Sequence, residues 1–449
     1  MTLLSPTILP PALVNGTERA SQLVHHYGPV PSDPLLTPVS RGALALATAL
    51  RATAAWGIGS DGRSYRMPDH LARYEWWDLD GDGVRETPAL VCEDASRNLC
   101  GHDDDLASWS TSGTISRSLF ATLGDSDVYL VTDNDAANRA YLFKTIAASA
   151  FVGATAKGVR IIWGRGPAPA ASGAFVWLRD TSGAPADRLL ASITAAGNGS
   201  PIVTPSPGTS VGVQFLRTEK GVALYAIDVA STAVTVASPH EIRIGAATTA
   251  TQTGSVYLGA VLVERDDARA SSRIATPAGT AVDRAREVLG WLVPYPPLGA
   301  QAWQLDLVET GATGIANSVV AVLTDQNGAN PSVAVTCNGS GRYTVTHHNG
   351  TSSVTVSAAT SPTFGQAVRL VVLLNADGSV QLGQSIAGAA FTWTAVSAAL
   401  AFGASWGADP ASVGYWLQPV TGFSKARTRL VRWKVNGAIV SDARLAQLW

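Results

Sequence analysis

Several residue types that mark common protein classes are scarce in this sequence. Its 449 residues contain three cysteines and no CxxC pair, which excludes a disulfide scaffold and the usual spacing of a zinc site. Lys and Arg number 32 against 34 Asp and Glu, so the net charge of −2 provides no basic field for nucleic acid. With 15% charged and 46% hydrophobic residues, the chain is too apolar to be disordered. We therefore expect a folded chain without a nucleic-acid partner.

Long hydrophobic runs and catalytic motifs are missing as well. The most apolar stretch, residues 43–57, contains Arg51 and is too short to cross a bilayer. The first residues lack the basic start of a secretion signal, and prolines interrupt them. The sequence has no Gly-x-Ser-x-Gly elbow, phosphate loop or HExxH zinc motif. We expect no membrane insertion, no secretion signal and no enzymatic activity.

Prolines are concentrated at the start of the chain. Seven of them lie within residues 1–40, where they cannot donate to a strand ladder or continue a helix. The sequence therefore predicts an extended arm over residues 1–40, without secondary structure of its own. Such an arm serves either as a linker or as an anchor on another protein.

The rest of the sequence is dominated by short β-branched runs separated by turn signals. Residues 158–163 and 256–263 are typical runs, and Ala376-Asp-Gly is a typical tight-hairpin signal. A second series of such runs follows a proline-containing break. This pattern predicts an all-β fold of two tandem antiparallel β-sandwiches. The predicted divisions are an arm (1–40), a β-rich connecting region (41–100), a first sandwich (101–275), a linker (276–298) and a second sandwich (299–449).

Three stretches of the sequence resemble structural proteins of tailed bacteriophages. The first runs from residue 88 to 98, PALVCEDASRN, and places Glu93, Arg97 and Asn98 ahead of Trp109 as the phage pattern does. The second, residues 256–276, is similar to the last strand of a jelly-roll module and is followed by Asp283-Arg284.

The third stretch lies at the C-terminus. Residues 422–449 are similar to the closing strand and terminal helix of concanavalin-like, laminin-G-type sandwiches, with Ser441 as the helix N-cap. The resemblance implies that a carbohydrate-binding-like jelly roll at 101–275 precedes a concanavalin-like sandwich with a short C-terminal helix at 299–449.

The resemblance also implies a function. It predicts a non-enzymatic virion component, such as a fibre, spike or capsid or tail appendage, made in the host cytoplasm and carried on the particle exterior. The arm would contact other virion proteins, and lectin-like domains would bind a host-surface glycan. The alternatives are a purely architectural decoration or assembly protein without a glycan ligand, and an accessory module of a secreted glycan-active enzyme.

The resemblance further implies a homotrimer. Two features of the sequence agree with self-association. A net charge of −2 opposes it little, and the apolar residues 41–56 adjoin an arm that offers them little cover. The alternative is that these residues pack on the first sandwich of the same chain.

One acidic segment has the spacing of a calcium loop. Asp78, Asp80 and Asp82 alternate and precede Gly83, so their carboxylates can converge on one hard cation. The twelfth loop position is Ala89, which cannot be a ligand, and Glu86 is the substitute. We favour an acidic turn between two strands, with bound calcium as the alternative.

A second acidic segment resembles the active strand of laminarinase-type glycosidases. Gln304, Asp306 and Glu309 follow the Glu-x-Asp-x-x-Glu pattern of that family, but Gln304 stands where the nucleophile is needed. An amide cannot form the glycosyl ester of retaining hydrolysis. We therefore expect an ordinary strand.

The 13 tryptophans are the main potential binding resource, because sugar faces stack on indole rings. Trp177 alternates with Phe175, and we expect that face to be core. The candidate glycan-binding residues are Trp163, Trp393, Trp406, Tyr415 and Trp416.

Overall fold

In a computed structural model of the chain, the described residues are 23–28, 39–41, 48–50, 53, 55–67, 73–93, 96–146, 157–167, 172–180, 186–231, 240–247, 253–265, 274–276, 281–284, 288–292, 300–310, 318–325, 332–402, 413–418 and 427–436. Over these residues the chain is built from β-strands, with a single 3-10 turn at Leu106–Ser108. In that part of the chain no helix is long and apolar enough to span a bilayer.

Eight strands precede the first sandwich. They are β1 (Leu23–Gly28), β2 (Val39–Arg41), β3 (Thr48–Leu50), β4 (Ala55–Ile58), β5 (Ser64–Met67), β6 (Arg73–Trp77), β7 (Thr87–Glu93) and β8 (Ser96–Asn98).

Twelve strands form the first sandwich. They are β9 (Ser110–Ser112), β10 (Ile115–Leu123), β11 (Ser126–Asp133), β12 (Tyr141–Ile146), β13 (Lys157–Arg165), β14 (Ser172–Asp180), β15 (Ala186–Ala195), β16 (Pro201–Pro205), β17 (Thr209–Glu219), β18 (Val222–Ser231), β19 (His240–Ala247) and β20 (Gly254–Arg265). Sheet 1 has the order β10-β11-β20-β13-β18-β17, and sheet 2 has the order β16-β15-β14-β19-β12-β9. Between them lies an apolar core that includes Trp163, Ile227 and Val261.

The remaining strands lead into the second sandwich. They are β21 (Val282–Arg284), β22 (Val288–Leu292), β23 (Gln301–Val308), β24 (Ser318–Asp325), β25 (Ser332–Cys337), β26 (Tyr343–His348), β27 (Ser353–Ser357), β28 (Ala367–Leu374), β29 (Val380–Ile386), β30 (Thr392–Trp393), β31 (Val413–Gln418) and β32 (Arg427–Asn436). Sheet 3 has the order β2-β1-β32-β23-β28-β29-β30, with β7 also on β32 and β6 on β7. Sheet 4 has the order β27-β26-β25-β24-β31-β22-β3.

The predicted all-β fold of two antiparallel sandwiches is confirmed by these sheets. The core of the second sandwich contains Trp303 and Trp433, whose ring centroids lie 5.7 Å apart. Side chains alternate between the two faces of a strand, so Trp303, Leu305 and Leu307 share one face of β23 and pack together in this core. Burial of each such side chain contributes roughly 1.5–3 kcal/mol.

The first sandwich is inserted between two sets of strands that belong to the second. Strands β1 and β7 come before the first sandwich, yet both pair with β32 near the end of the chain. Strand β3 likewise pairs with β22 in sheet 4. The prediction that residues 1–40 lack secondary structure is therefore wrong at β1 and β2, which pair antiparallel within sheet 3. Neither strand contains a proline, so every residue of β1 and β2 has a backbone N–H to donate.

Contacts within the chain are also described for some of the apolar residues 41–56. Strand β3 pairs within sheet 4, and Ala55 is fully buried on β4. The indole Nε1 of Trp56 donates to Asp125 Oδ2 of the first sandwich at 2.9 Å. The described residues of this segment thus pack on their own chain, and their apolar character is no argument for a trimer. The C-terminal helix predicted around Ser441 lies outside the described residues.

The chain enters and leaves the first sandwich at one junction, where β8 pairs with β21. Asn98 is fully buried there. Its Oδ1 accepts from the N–H groups of Cys100 and Val263 at 3.0 and 3.2 Å, and its Nδ2 donates to Ile274 O at 2.8 Å. One side chain therefore ties the incoming segment to the last strand of the sandwich and to the outgoing segment.

A second set of bonds closes the same junction. The N–H of Thr276 donates to Asp103 Oδ1 at 2.7 Å, and the N–H of Asp103 donates back to Thr276 Oγ1 at 3.1 Å. Trp109 is buried beside them and donates from Nε1 to His102 O at 3.0 Å.

A buried ion network links this junction to the second sandwich. Glu93 accepts from Arg284 at 2.7 Å and from Arg429 at 2.5 Å, and Arg429 also pairs with Glu75 at 2.6 Å. The four side chains are 1–3% exposed. Residues that carry the phage resemblance, Glu93, Asn98, Trp109 and Arg284, thus meet at the junction as structural groups.

Candidate functional site

The outer face of sheet 2 carries a cluster of aromatic and basic side chains. We call it the aromatic face, and its members are Arg139, Tyr141, Phe143, Phe175, Trp177 and Arg243. Phe175 and Arg243 are buried beneath their neighbours, and the other four are half-buried. The exposed parts of the half-buried rings are available to a ligand.

Strand alternation places the aromatic residues outside. In β14, Ala174, Val176 and Leu178 point into the core of the first sandwich. Phe175 and Trp177 therefore point to the outer face, contrary to the expectation that these aromatics are core. The small aliphatic residues fill the narrow space between the sheets instead.

Register aligns the side chains into rows across three strands. Phe143 on β12 and Trp177 on β14 are both opposite Arg243 on the central strand β19. Phe175 is opposite Gly245, where a Cβ would lie 2.2 Å from the ring, so its ring packs directly on the backbone. The absence of a side chain at Gly245 keeps the face flat.

The rings pack closely with one another. The centroids of Phe175 and Trp177 lie 4.6 Å apart, and those of Tyr141 and Phe143 lie 6.1 Å apart. Tyr141 meets Phe175 edge to face at 6.4 Å. These separations are within the range in which aromatic pairs attract.

Two guanidinium groups cover parts of the rings. Arg243 lies 4.5 Å from the centroid of Tyr141, and Arg139 lies 4.4 Å from Trp177 and 5.0 Å from Phe175. Such cation–π contacts orient the guanidinium groups over the rings. The Arg243 side chain is also fixed by two bonds from Nε and Nη2 to Glu241 Oε2, at 2.9 and 2.6 Å.

The loop that carries Arg139 is itself held rigid. Asp133 Oδ2 accepts from the N–H of Ala140 at 3.1 Å, and Asp135 Oδ1 accepts from Ala137 and Asn138 at 3.0 and 2.9 Å. Those backbone bonds, Asn138 foremost, hold the pKa of Asp135 below its usual value. Arg139 is thus held over the aromatic face by an ordered loop.

The aromatic residues predicted to bind a glycan have different locations in the structure. Trp163 is fully buried in the core of the first sandwich, so its proposed role in glycan binding is wrong. Trp393 is half-buried on the edge strand β30, packed over Gly383 and 6.0 Å from Phe391. Tyr415 and Trp416 lie on β31, where only the backbone is described, and Trp406 lies outside the described residues. Of the candidates whose side chains are described, Trp163 and Trp393 lie in different sandwiches.

The acidic loop between β6 and β7 does assemble. One carboxylate oxygen from each of Asp78, Asp80, Asp82 and Glu86 lies within 4.8 Å of the others. Calcium takes oxygen ligands at about 2.4 Å, so ligands on opposite sides of one ion are about 4.8 Å apart. The geometry fits a calcium ion, which is the alternative to the plain turn.

The loop is shaped by its own carboxylates. Asp78 accepts from the N–H groups of Gly81 and Gly83 at 2.7 and 3.0 Å, and both glycines have positive φ. Below the loop, buried Arg85 donates to the carbonyls of Trp76 and Phe215. Burial lowers the pKa of Arg85 to about 10, so it stays charged at neutral pH.

The glycosidase-like segment lies on and just beyond strand β23, which pairs with β28 and β32 as expected of an ordinary strand. Gln304 is fully buried, and Asp306 pairs with Arg369 on the next strand at 3.2 Å. Glu309 accepts from the hydroxyl of Tyr343 at 2.6 Å within the core. Burial, with the nearby Glu309 charge, raises the pKa of Tyr343 well above its usual value.

One buried histidine makes the stability of the second sandwich depend on pH. His347 is fully buried and shares a 2.7 Å hydrogen bond between Nδ1 and Gly378 O. Burial, followed by the neighbouring His348, lowers its pKa below 6.5, while that bond opposes the shift. As the pH falls below 6.5, the unfolded chain binds the proton more readily, so stability is lost toward the folded-state pKa.

We therefore expect the urea midpoint of the chain to fall between pH 7.5 and pH 5.5. His347→Gln, which cannot titrate, should show a smaller fall than the unmodified chain. Ser353→Ala, at an exposed position of β27 in the same sandwich, should keep the full fall. An equal pH dependence in His347→Gln and the unmodified chain would refute this assignment.

Comparisons with known proteins add little to this description. No protein-family model matches the chain, and no curated protein does. Among solved structures, mouse laminin α1 chain, domains LG4-5, is similar at 12% sequence identity, covering 74% of this chain and 94% of that chain, with a TM-score of 0.22. At that TM-score the match indicates neither a shared ligand nor a shared assembly.

Proposed function

We propose that this chain is a non-enzymatic structural protein that binds a glycan on the aromatic face of its first sandwich. The observation that carries the proposal is the row of Trp177, Arg243 and Phe143 across three strands of sheet 2. The C–H faces of sugar rings would stack on Phe143 and on the part of half-buried Trp177 that Arg139 and Phe175 leave exposed. Arg139 and Glu241, at the margins of the row, would bind hydroxyl groups.

We propose further that the protein is a component of a tailed-phage particle, on its exterior. Support comes from the junction of the first sandwich, where the residues of the phage resemblance meet although they are far apart in the sequence. The homotrimer and the contact of residues 1–40 with other virion proteins remain parts of this proposal. Mass spectrometry of purified particles should detect the chain as a component, and its absence would remove the particle assignment alone.

Glycan binding is tested with the full chain on a glycan array. We expect Trp177→Ala to lower the affinity for any bound glycan about tenfold. The variant loses the stacking of the sugar on the indole ring, which is worth up to about 1.5 kcal/mol. Leu119→Ala is the matched control, since Leu119 is 57% exposed on the opposite sheet of the same sandwich. Trp393→Ala tests the candidate of the second sandwich whose side chain is described.

The outcomes separate the alternatives. Binding that Trp393→Ala abolishes and Trp177→Ala spares would move the site to the second sandwich. No binding to any glycan would favour the purely architectural role. Release of reducing sugar from a bound glycan would instead support the enzyme-accessory alternative.

We also propose that Asp78, Asp80, Asp82 and Glu86 bind calcium. Calcium at a hundredfold excess over its dissociation constant should stabilise the chain by about 2.7 kcal/mol, so chelator should lower the melting temperature. Asp80→Asn should remove this calcium dependence. Asp283→Asn, whose side chain is 72% exposed at a distant site, should keep it. A melting temperature that chelator leaves unchanged would favour the plain turn.

A further inference from the structure

A small cavity lies where the hairpin β4–β5 and strand β6 meet the outer face of sheet 1. It is partly enclosed and has a volume of about 50 Å³. Ile162, Leu216 and Ala226 form its wall on the side of sheet 1, and Trp56 and Ile58 form the wall on the side of the hairpin. The walls are therefore mostly apolar.

Backbone contacts on both sides of the cavity prevent it from closing. Gly62, at the hairpin turn with φ +73°, is so close to sheet 1 that a Cβ would lie 2.0 Å from Leu216 O. Gly124, with φ +65°, is equally close to Ser64 O, at 2.1 Å. The hairpin is already in backbone contact with the sandwich at these two points, so the space between them is preserved.

Two residues of the cavity wall bring polar atoms that lack partners. Among the described residues, neither Glu75 Oε1 nor Ser126 Oγ has a hydrogen-bond partner, and each residue is 1% exposed. Buried polar groups without partners are rare, because each costs free energy. A carboxylate oxygen accepts, and a serine hydroxyl both donates and accepts. Together they suit a ligand group that offers a donor.

The charged groups of the wall are already neutralised. Glu75 Oε2 pairs with Arg429 at 2.6 Å, and Arg160 is held by both oxygens of Asp228 at 2.7 and 2.9 Å. An ionic ligand would therefore bring a charge into the cavity with no counter-charge left for it.

From these observations we propose that the cavity binds a small uncharged molecule with an apolar body and one hydroxyl or amide group. The body contacts Ile162, Leu216 and Trp56. The hydroxyl or amide donates to Glu75 and is also bonded by Ser126. This site lies on sheet 1, on the opposite side of the sandwich from the aromatic face, and does not depend on the proposed function.

Four compounds of one shape test the proposal by ligand-observed NMR on the full chain. They are isobutanol, isobutyramide, isobutylamine as its cation and isobutyrate. Isobutanol and isobutyramide should bind with dissociation constants of about 1 mM or tighter, which is within the range for ligands of so few atoms. The two ions should bind at least tenfold more weakly.

Variants of the wall provide the controls. Ala226→Leu fills the cavity and should lower isobutanol affinity more than tenfold. Ser126→Ala removes one hydrogen bond and should lower it about fivefold, which corresponds to about 1 kcal/mol. Ala389→Leu adds the same atoms at an exposed position of the second sandwich and should change nothing.

Three results would overturn the proposal. They are a lack of saturable binding to the unmodified chain, binding that Ala226→Leu retains, and tighter binding of either ion than of isobutanol. A crystal soaked in isobutanol that shows only ordered water beside Glu75 and Ser126 would have the same consequence, since water would then be the partner of both groups.

Discussion

Replacing Arg429 with Met should destabilise the protein by about 3–5 kcal/mol, because the change leaves buried carboxylates without their cation. Arg429 bonds Glu75 at 2.6 Å and Glu93 at 2.5 Å, and it is 3% exposed. Glu93 keeps Arg284 as a partner, whereas Glu75 loses its ion-pair partner. The urea midpoint of the full chain, followed by tryptophan fluorescence, measures the loss.

A pair on the same sheet with an exposed cation is the control. Arg369 lies 3.2 Å from Asp306, the two side chains are 47% and 14% exposed, and Arg369→Met should cost less than Arg429→Met because water reaches the guanidinium group. Adding Glu75→Gln to Arg429→Met should restore part of the stability, since the uncompensated charge is removed. A loss in Arg429→Met no larger than that in Arg369→Met would show that the network is not a major source of stability.

Replacing Asn98 with Ala should cost about 3 kcal/mol or more. The change leaves the N–H groups of Cys100 and Val263 and the carbonyl of Ile274 without their partner, and each buried orphan costs about 1–3 kcal/mol. Because Asn98 joins three segments, hydrogen exchange should accelerate in β20 and residues 274–276 before it does so in the second sandwich.

Asn198 serves as the control for this change. It is exposed in the turn between β15 and β16, where its Oδ1 accepts from the N–H of Ser200 at 3.1 Å. Asn198→Ala should cost less than about 1 kcal/mol, because water replaces the amide. Equal losses in the two variants, or exchange that accelerates uniformly over the chain, would contradict the structural role of Asn98.

Local patterns in the sequence predicted the type of fold well. The β-branched runs at 158–163 and 256–263 are strands β13 and β20 of sheet 1, and both carry core residues. Hairpin signals act over a few residues, so Ala376-Asp-Gly indeed connects β28 to β29. The pairing of β1 and β7 with β32 joins residues about 410 and 340 positions apart, and no local pattern encodes such a contact.

The candidate sites also differ in whether local sequence or tertiary packing determines them. The carboxylates of the acidic loop lie within nine residues, so the alternation of Asp78, Asp80 and Asp82 already showed that they can converge, although the sequence favoured a plain turn. Trp163 and Trp177 have similar neighbours in the sequence, yet one is core and the other is on the outer face. The alternation of Ala174, Val176 and Leu178 was the available signal that the opposite face of β14 is the core.

The sequence by itself therefore determined the β-strands, their turns, the acidic loop and the balance of charge, because these depend on neighbours within a few residues. The tertiary structure decided which face of each strand meets the core, since that depends on the sheet packed against it. It also decided that Glu75, Glu93, Arg284 and Arg429 share one buried network, and that a cavity lies between the hairpin and sheet 1. In the network, Glu75 and Glu93 meet Arg429, about 350 positions later in the sequence, because the whole fold closes around them. Burial then strengthens their charge interactions and makes an unpaired group costly.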